Sequence, residues 1–118
     1  MSLGTRLGFD TLKSRVANQI SGSYAALADS NSNSELAHPA RFIMVENGTN
    51  ARLTFSNDGI NDRFTLPAGG TLVLDLCSNQ IQQEGLRMAK LSSLYVKLTA
   101  GAAATGAAYF SSFYAIGD

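Results

Sequence analysis

The chain has 118 residues, nine basic and nine acidic side chains that cancel, and 45% hydrophobic against only 15% charged residues. This length fits one domain with one core, and zero net charge provides no long-range attraction to nucleic acid or an anionic membrane. The low charge predicts a surface of small polar and apolar residues, which is typical of subunits that pack against one another.

Residues 1–37 are predicted to form an N-terminal arm with an amphipathic helix and a polar linker. Apolar residues recur at spacings of three and four from about Phe9 to Leu27, as on one face of a helix. The candidate assembly interface consists of Phe9, Leu12, Val16, Ile20, Tyr24 and Leu27. Gly22 weakens this helix, and an isolated helix of this length is marginal in water, so we expect it to order on contact. Either its own sandwich or a neighbouring subunit must cover the apolar face.

The run Asp29–Ser34 follows the predicted helix and has the small, polar composition of a tether. Such a segment buries too little apolar surface to fold alone. We therefore expect residues 38–118 to fold without the arm, and the arm to serve assembly.

Residues 38–118 are predicted to form a β-sandwich domain. Short segments of alternating or apolar character are separated by turn residues, and the predicted strands are Phe42–Val45, Arg52–Ser56, Arg63–Leu66, Thr71–Cys77, Leu94–Leu98 and Tyr109–Ile116. Asn47-Gly48 between apolar segments is a strong hairpin signal, because both residues tolerate positive φ. Pro67–Gly70 is expected to end a strand, since proline cannot donate to a ladder.

The fourth predicted strand is expected to bury Leu72, Leu74 and Leu76 on one face, and the polar segment Ser78–Met88 is expected to cross between sheets. The fold class is therefore mainly β, an antiparallel β-sandwich or jelly-roll-like barrel of about six to seven short strands. The N-terminal arm on this sandwich is expected to be helical or extended.

Few residues of the sequence are candidates for catalysis or metal binding. His38 is the only histidine and Cys77 the only cysteine, so one chain cannot supply the four nitrogen or sulfur ligands of a structural zinc site. The oxygen-rich run Asn57–Asp62 lacks the ligand spacing of an EF-hand calcium loop and is predicted to form a surface turn. Asn47-Gly48-Thr49 matches a glycosylation acceptor, but the turn interpretation is preferred. We predict no catalytic, cofactor-binding or metal site, no cofactor and no enzymatic activity.

The segment from Arg41 to Leu76 resembles small virion proteins of tailed bacteriophages. The resemblance lies in the order of three motifs, which are Val45-Glu46-Asn47-Gly48-Thr49-Asn50-Ala51, Leu53-Thr54-Phe55-Ser56-Asn57-Asp58-Gly59 and Asp62-Arg63-Phe64-Thr65-Leu66-Pro67-Ala68-Gly69-Gly70. It implies a β-sandwich structural subunit of the head, neck or tail, present in many copies. The implied role is a capsid decoration or cement protein, or a head-to-tail or tail adaptor.

The implied partners are copies of the chain itself and other virion proteins, such as capsid, portal, neck or tail subunits. The location that the resemblance implies is the virion. Synthesis in the host cytoplasm is expected because no apolar run approaches the roughly 18 residues of a membrane span. Nucleic acid is disfavoured as a partner, and no membrane contact or small-molecule substrate is expected. The alternative is a carbohydrate- or receptor-binding module of a tail or fibre, in which Tyr95, Tyr109 and Tyr114 stack on sugars.

Overall fold

The computed structural model describes residues 7–75, 91–102 and 105–115, and within these ranges the chain forms nine strands and one short 3₁₀ helix. The strands are β1 (Leu7–Phe9), β2 (Lys13–Val16), β3 (Ala25–Ala26), β4 (Phe42–Asn47), β5 (Leu53–Ser56), β6 (Phe64–Leu66), β7 (Thr71–Asp75), β8 (Tyr95–Leu98) and β9 (Ala107–Ala115). The 3₁₀ helix spans Ala17–Gln19 and directly follows β2.

The strands form two antiparallel sheets, which confirms the predicted β-sandwich. One sheet has five strands in the order β1-β9-β4-β7, with β2 also paired to β9, and the other has four in the order β3-β8-β5-β6. Among the described strands, the chain passes from one sheet to the other after β2, β3, β4, β6, β7 and β8. The nine-residue strand β9 is central, because it pairs with β4 on one side and with β1 and β2 on the other.

The core lies between the inner faces of the two sheets. Its buried members come from both sheets and from the segments that join them, and they are Ile20, Leu27, Leu36, Ala40, Ile43, Val45, Leu53, Phe55, Leu66, Leu94, Val96, Ala108 and Phe110. Leu27 and Leu36 have no exposed surface, so residues that precede position 38 are part of this core.

The predicted amphipathic helix over Phe9–Leu27 is wrong. This segment is extended and forms β1, β2 and β3, with only three residues in the 3₁₀ helix. The physical reason is that β9 and β8 supply backbone hydrogen-bond partners, whereas Gly22 and its flanking serines disfavour a helix. The extended form of the arm, which the predicted fold class also allowed, is the one observed.

The predicted linker at residues 29–34 is an ordered turn. The carboxylate of Asp29 accepts hydrogen bonds from the backbone amides of Asn31 (2.9 Å) and Asn33 (3.0 Å). Two residues after this turn, Leu36 bonds through its backbone to Ser92 (2.9 Å) and Leu91 (2.8 Å). Residues 7–36 therefore contribute to both sheets and to the core.

The Asn47-Gly48 turn does not form the predicted hairpin, because β4 and β5 lie in different sheets and do not pair. Gly48 is also absent from the positive-φ residues of the described chain. The turn carries the chain from one sheet to the other, and the amide of Gly48 bonds to the carbonyl of Ala107 at 2.9 Å. The hairpin lies instead between β5 and β6, across the loop that contains Gly59 at φ 75°.

The other predicted strands are present, but two burial patterns differ. All four residues of β5 are buried, since Thr54 and Ser56 are covered as well as Leu53 and Phe55. In β7, Leu74 is 40% exposed although it was expected in the core. Residues 76–90, which hold the predicted crossing segment, Leu76 and Cys77, lie outside the described residues.

Candidate assembly surface

The outer face of the five-stranded sheet is defined by strand alternation. In β4 the buried residues are Ile43, Val45 and Asn47, so the side chains between them point away from the core. In β9, Ala108 and Phe110 belong to the core, which places the odd-numbered side chains outside. Strand register then assigns Phe9, Ser14, Val16, Phe42, Met44, Glu46, Thr71, Val73, Asp75, Tyr109, Ser111 and Phe113 to what we call the outer sheet face.

An aromatic row crosses three strands of the outer sheet face. Phe113 in β9 pairs with Phe9 on one side and with Phe42 on the other. The ring centroids of Phe9 and Phe113 are 4.8 Å apart at an interplanar angle of 44°, and those of Phe42 and Phe113 are 5.2 Å apart at 3°. Aromatic pairs at these separations gain about 0.5–1.5 kcal/mol beyond area burial, so the row is a preformed apolar strip.

Much of this apolar surface is open to solvent. Phe9 is 73% exposed, Val73 is 51% exposed and Val16 is 45% exposed. The charged members of the outer sheet face are Glu46 and Asp75, both acidic. Contiguous exposed apolar patches with a polar rim are typical of surfaces that bind another protein.

A β-bulge shapes one edge of this face. Three residues separate Phe9 from Lys13, whereas only two separate their partners Phe113 and Phe110, so one extra residue lies in the N-terminal edge. The bulge directs the carboxylate of Asp10 towards the backbone amides of Ala37 (3.1 Å) and His38 (3.3 Å). It leaves the neighbouring Leu12 side chain 51% exposed.

The six residues of the predicted assembly interface do not share one surface. Phe9, Leu12 and Val16 are exposed along the β1–β2 edge. Ile20 and Leu27 are buried in the core of their own sandwich. Tyr24 is partly buried against the four-stranded sheet. The first half of the predicted set is thus available to a partner, and the second half is not.

Tyr24 belongs to a polar network on the four-stranded sheet. Its hydroxyl donates a 2.5 Å hydrogen bond to Asp62, and the ammonium of Lys97 lies 3.1 Å from that carboxylate and 4.7 Å from the Tyr24 ring centroid. Burial and the bond to Asp62 raise the pKa of Tyr24 to about 12, while the same bond, followed by that from Lys97, lowers the pKa of Asp62. The network fastens the β5–β6 loop to β8 and to the segment before β3.

The oxygen-rich loop at residues 57–62 is held by its own backbone. Asp58 accepts hydrogen bonds from the amides of Ile60 and Asn61, both at 2.9 Å, and pairs with Arg63 at 3.2 Å. The amides of Asn61 and Ile60, followed by the Ser56 hydroxyl, lower the pKa of Asp58. The carboxylate therefore serves as the acceptor of a turn, as the sequence predicts for this segment.

Asn47 has a structural role that the glycosylation motif does not suggest. Its side chain is buried, and Nδ2 lies 2.7 Å from the Ala51 carbonyl and 3.0 Å from those of Leu66 and Pro67. Its Oδ1 accepts bonds from the amide (3.0 Å) and hydroxyl (2.6 Å) of Thr49. A glycan on Nδ2 would disrupt these contacts, so the acceptor motif is not accessible in the folded chain.

His38 lies beside the bulge and contacts an aromatic ring. Its imidazole stacks on Tyr114 with ring centroids 3.7 Å apart, and its Nδ1 is 3.8 Å from the Asp10 carboxylate. The Tyr114 ring also covers Gly8, where an added Cβ would overlap the ring. This packing explains why glycine is present at position 8. His38 contributes to the same packing through its contact with Tyr114.

Two cations of the N-terminal segment point inward. Lys13 is 1% exposed, and its ammonium lies 3.3 Å from the Thr11 carbonyl, while Nε of Arg15 donates to the Ala26 carbonyl at 2.7 Å. Arg15 also lines an open groove of about 430 Å³ between β2 and the turn that contains Asp29. The bond from Arg15 joins β2 to β3 of the other sheet at one edge of the sandwich.

The three tyrosines proposed for sugar stacking are not brought together. Tyr109 is on the outer sheet face, while Tyr114 stacks on His38. Tyr95 is in β8 of the other sheet, with Gly59 against its ring. The structure therefore provides no shared aromatic platform from these residues.

Sequence reasoning missed four members of the outer sheet face, which are Phe42, Met44, Val73 and Phe113. Alternation in β4 and β9 could have assigned Phe42 and Phe113 to outward positions. Their proximity depends on which strands pair, and the register between positions 42 and 113 is a long-range property.

The comparisons with known proteins give no match: no family model, curated protein or solved structure is similar to this chain. In the part of the chain that the structure describes, no cluster of three or more histidine, cysteine, aspartate or glutamate side chains could hold a metal ion. Among the same residues, no helix is long and apolar enough to cross a membrane.

Proposed function

We propose that this chain is a structural subunit of a bacteriophage virion that assembles in multiple copies, as a capsid decoration or cement protein or as a head-to-tail or tail adaptor. The observation that carries the assembly role is the outer sheet face, where Phe9 and Val73 are exposed and the half-buried rings of Phe113 and Phe42 continue the apolar strip, beside a separate, closed core. The virion assignment is supported by the resemblance of residues 41–76 to small phage virion proteins.

The outer sheet face suits assembly on energetic grounds. Covering Phe9, 73% of which is exposed, removes roughly 150 Å² from water and contributes about 3–4 kcal/mol at 25 cal/mol per Å². Ordering and the loss of translational freedom on association offset part of this gain. Several modest contacts of this kind add up when subunits are arranged in a closed symmetric shell or ring.

The assembly role is tested by sedimentation velocity on Phe9→Ser, with Ile60→Ser as the matched control. Ile60 is 79% exposed but lies in the β5–β6 loop, away from the outer sheet face. We expect the wild type and Ile60→Ser to associate equally at high micromolar concentration, and Phe9→Ser to require at least tenfold more protein. Equal association of all three chains would contradict a role for this face.

The virion assignment is tested by the composition of particles. Phage particles purified from cells that carry the gene should contain the chain at a fixed ratio to the major capsid protein, measured by quantitative peptide mass spectrometry. Absence of the chain from purified particles, while it accumulates in the lysate, would contradict a structural role in the virion.

A further inference from the structure

The outer edge of β7 differs from the other outer strands of the two sheets. Within the described residues, β7 ends the five-stranded sheet and pairs only with β4. The opposite edge of that sheet is interrupted by the bulge and bonded at Ser14 to Ala28, and the outer strands β3 and β6 have two and three residues. Edge strands usually avoid uncontrolled pairing through shortness, bulges, lysine or proline. The sequence Thr71–Asp75 has no lysine or proline, and its ladder with β4 has no bulge.

The backbone of β7 places alternate peptide groups on its outer edge. Asn47 donates its amide to the Gly70 carbonyl, so by alternation Leu72 and Leu74 direct their amides and carbonyls towards β4. Thr71, Val73 and Asp75 direct theirs to the other side. The side chains are also open there, since Val73 is 51% exposed on the outer sheet face and Leu74 is 40% exposed on the inner face.

The sequence of β7 is complementary to itself in the antiparallel direction. With two copies centred on Val73, each Thr71 lies opposite the partner's Asp75, and each Leu72 lies opposite the partner's Leu74. Apolar side chains then meet on both faces, and the acidic group meets a hydroxyl donor rather than a like charge. At the centre of the pair, the amide and carbonyl of each Val73 then form two backbone hydrogen bonds with those of the partner's Val73.

We propose that two copies of this chain pair through their β7 edges, antiparallel and centred on Val73, to form one ten-stranded sheet across a two-fold axis. The count is twice the five strands of one copy's sheet. This inference rests on the proposed function, because it identifies a contact through which copies associate. The pairing places two outer sheet faces side by side and so doubles the apolar surface that a further subunit can contact.

The register is tested by cross-linking in a Cys77→Ser background. In a hydrogen-bonded antiparallel pair, opposite Cα atoms are about 5.5 Å apart, which is within the range of a disulfide. Val73→Cys should therefore give mainly disulfide-linked dimer under glutathione oxidation, seen on non-reducing gels. Thr71→Cys is the control, since its two copies would be roughly 14 Å apart and should stay at least fivefold less cross-linked.

The hydrogen bonding of the edge is tested by Val73→Pro against Val73→Thr. Proline removes an amide that points away from β4, so the fold should be retained by far-UV circular dichroism, while the dimer dissociation constant should rise at least tenfold. Threonine keeps the amide and the branched shape, and should change that constant less than threefold.

If association persists but Val73→Cys cross-links no more than Thr71→Cys, the β7 pairing is refuted while the proposed function stands. Equal dissociation constants for Val73→Pro and Val73→Thr would refute it as well. If the chain is monomeric at several hundred micromolar and absent from purified particles, both the pairing and the proposed function are refuted.

Discussion

Replacing Asn47 by alanine tests whether one buried amide holds three chain segments together. The side chain is 1% exposed and connects the β4–β5 turn with the β6–β7 turn, through carbonyls of Ala51, Leu66 and Pro67 and through Thr49. Alanine removes all of these hydrogen bonds, although the Pro67 carbonyl still accepts from the Gly70 amide and the Ala51 carbonyl from the Thr49 hydroxyl. Each buried polar group left without a hydrogen bond costs about 1–3 kcal/mol, and water can reach the groups near the surface. We therefore expect the free energy of unfolding to fall by roughly 3–4 kcal/mol. That is a large fraction of the 5–15 kcal/mol typical of a domain.

The assay is equilibrium urea unfolding at low micromolar concentration, followed by far-UV circular dichroism and tyrosine fluorescence, since the chain has four tyrosines and no tryptophan. Asn47→Asp keeps the size but replaces the donor by an acceptor that faces three carbonyl oxygens, so it should be at least as destabilising at pH 7. Asn18→Ala is the control, because Asn18 is exposed and its replacement should change stability by less than about 0.5 kcal/mol. A loss below about 1 kcal/mol for Asn47→Ala would show that this side chain does not hold the two turns together.

Three further predictions concern packing, ionisation and the N-terminal segment. Gly8→Ala should destabilise the chain by about 1–3 kcal/mol, because its Cβ overlaps the Tyr114 ring, and a double-mutant cycle with Tyr114→Ala should show coupling; additive effects would contradict the contact. In a spectrophotometric titration, one tyrosine should ionise near pH 12, and Tyr24→Phe should remove that component. Since the folded pKa of Tyr24 is above its unfolded value of about 10, its contribution to stability is complete below pH 10 and is lost as the pH rises towards 12, a loss that Tyr24→Phe should lack. Deleting residues 1–37 removes β1, β2, β3 and three core side chains, so residues 38–118 alone should show no cooperative unfolding; a cooperative transition would contradict this expectation.

Local sequence patterns were sufficient for the strands whose inner and outer residues alternate. β6 buries Leu66 and exposes Thr65, as the predicted alternation of Arg63–Leu66 requires. The Pro67–Gly70 turn also follows from its residues, because Gly69 adopts φ 77° and the Gly70 amide bonds to the Pro67 carbonyl at 2.8 Å. These features depend on neighbours within a few residues, so the local sequence is enough to predict them.

The N-terminal segment shows where local pattern fails. Spacings of three and four between Phe9 and Leu27 fit a helix, but they also arise when an extended chain is interrupted by a bulge and then crosses from one sheet to the other. A helix satisfies its own backbone, whereas an extended segment needs partners elsewhere. Those partners are β9 and β8, which lie far along the chain. The local sequence therefore does not show whether this segment is helical or extended.

The amino-acid sequence is sufficient to predict a mainly β sandwich, most of its strands, and an apolar N-terminal segment that must be covered in part. The fold is needed to show that Ile20 and Leu27 are covered by their own sandwich while Phe9 stays exposed. The same holds for the aromatic row, because Phe9, Phe42 and Phe113 meet only through the pairing of three strands. Alternation indicates which side chains of one strand share a face, but the register between distant strands determines which side chains are neighbours.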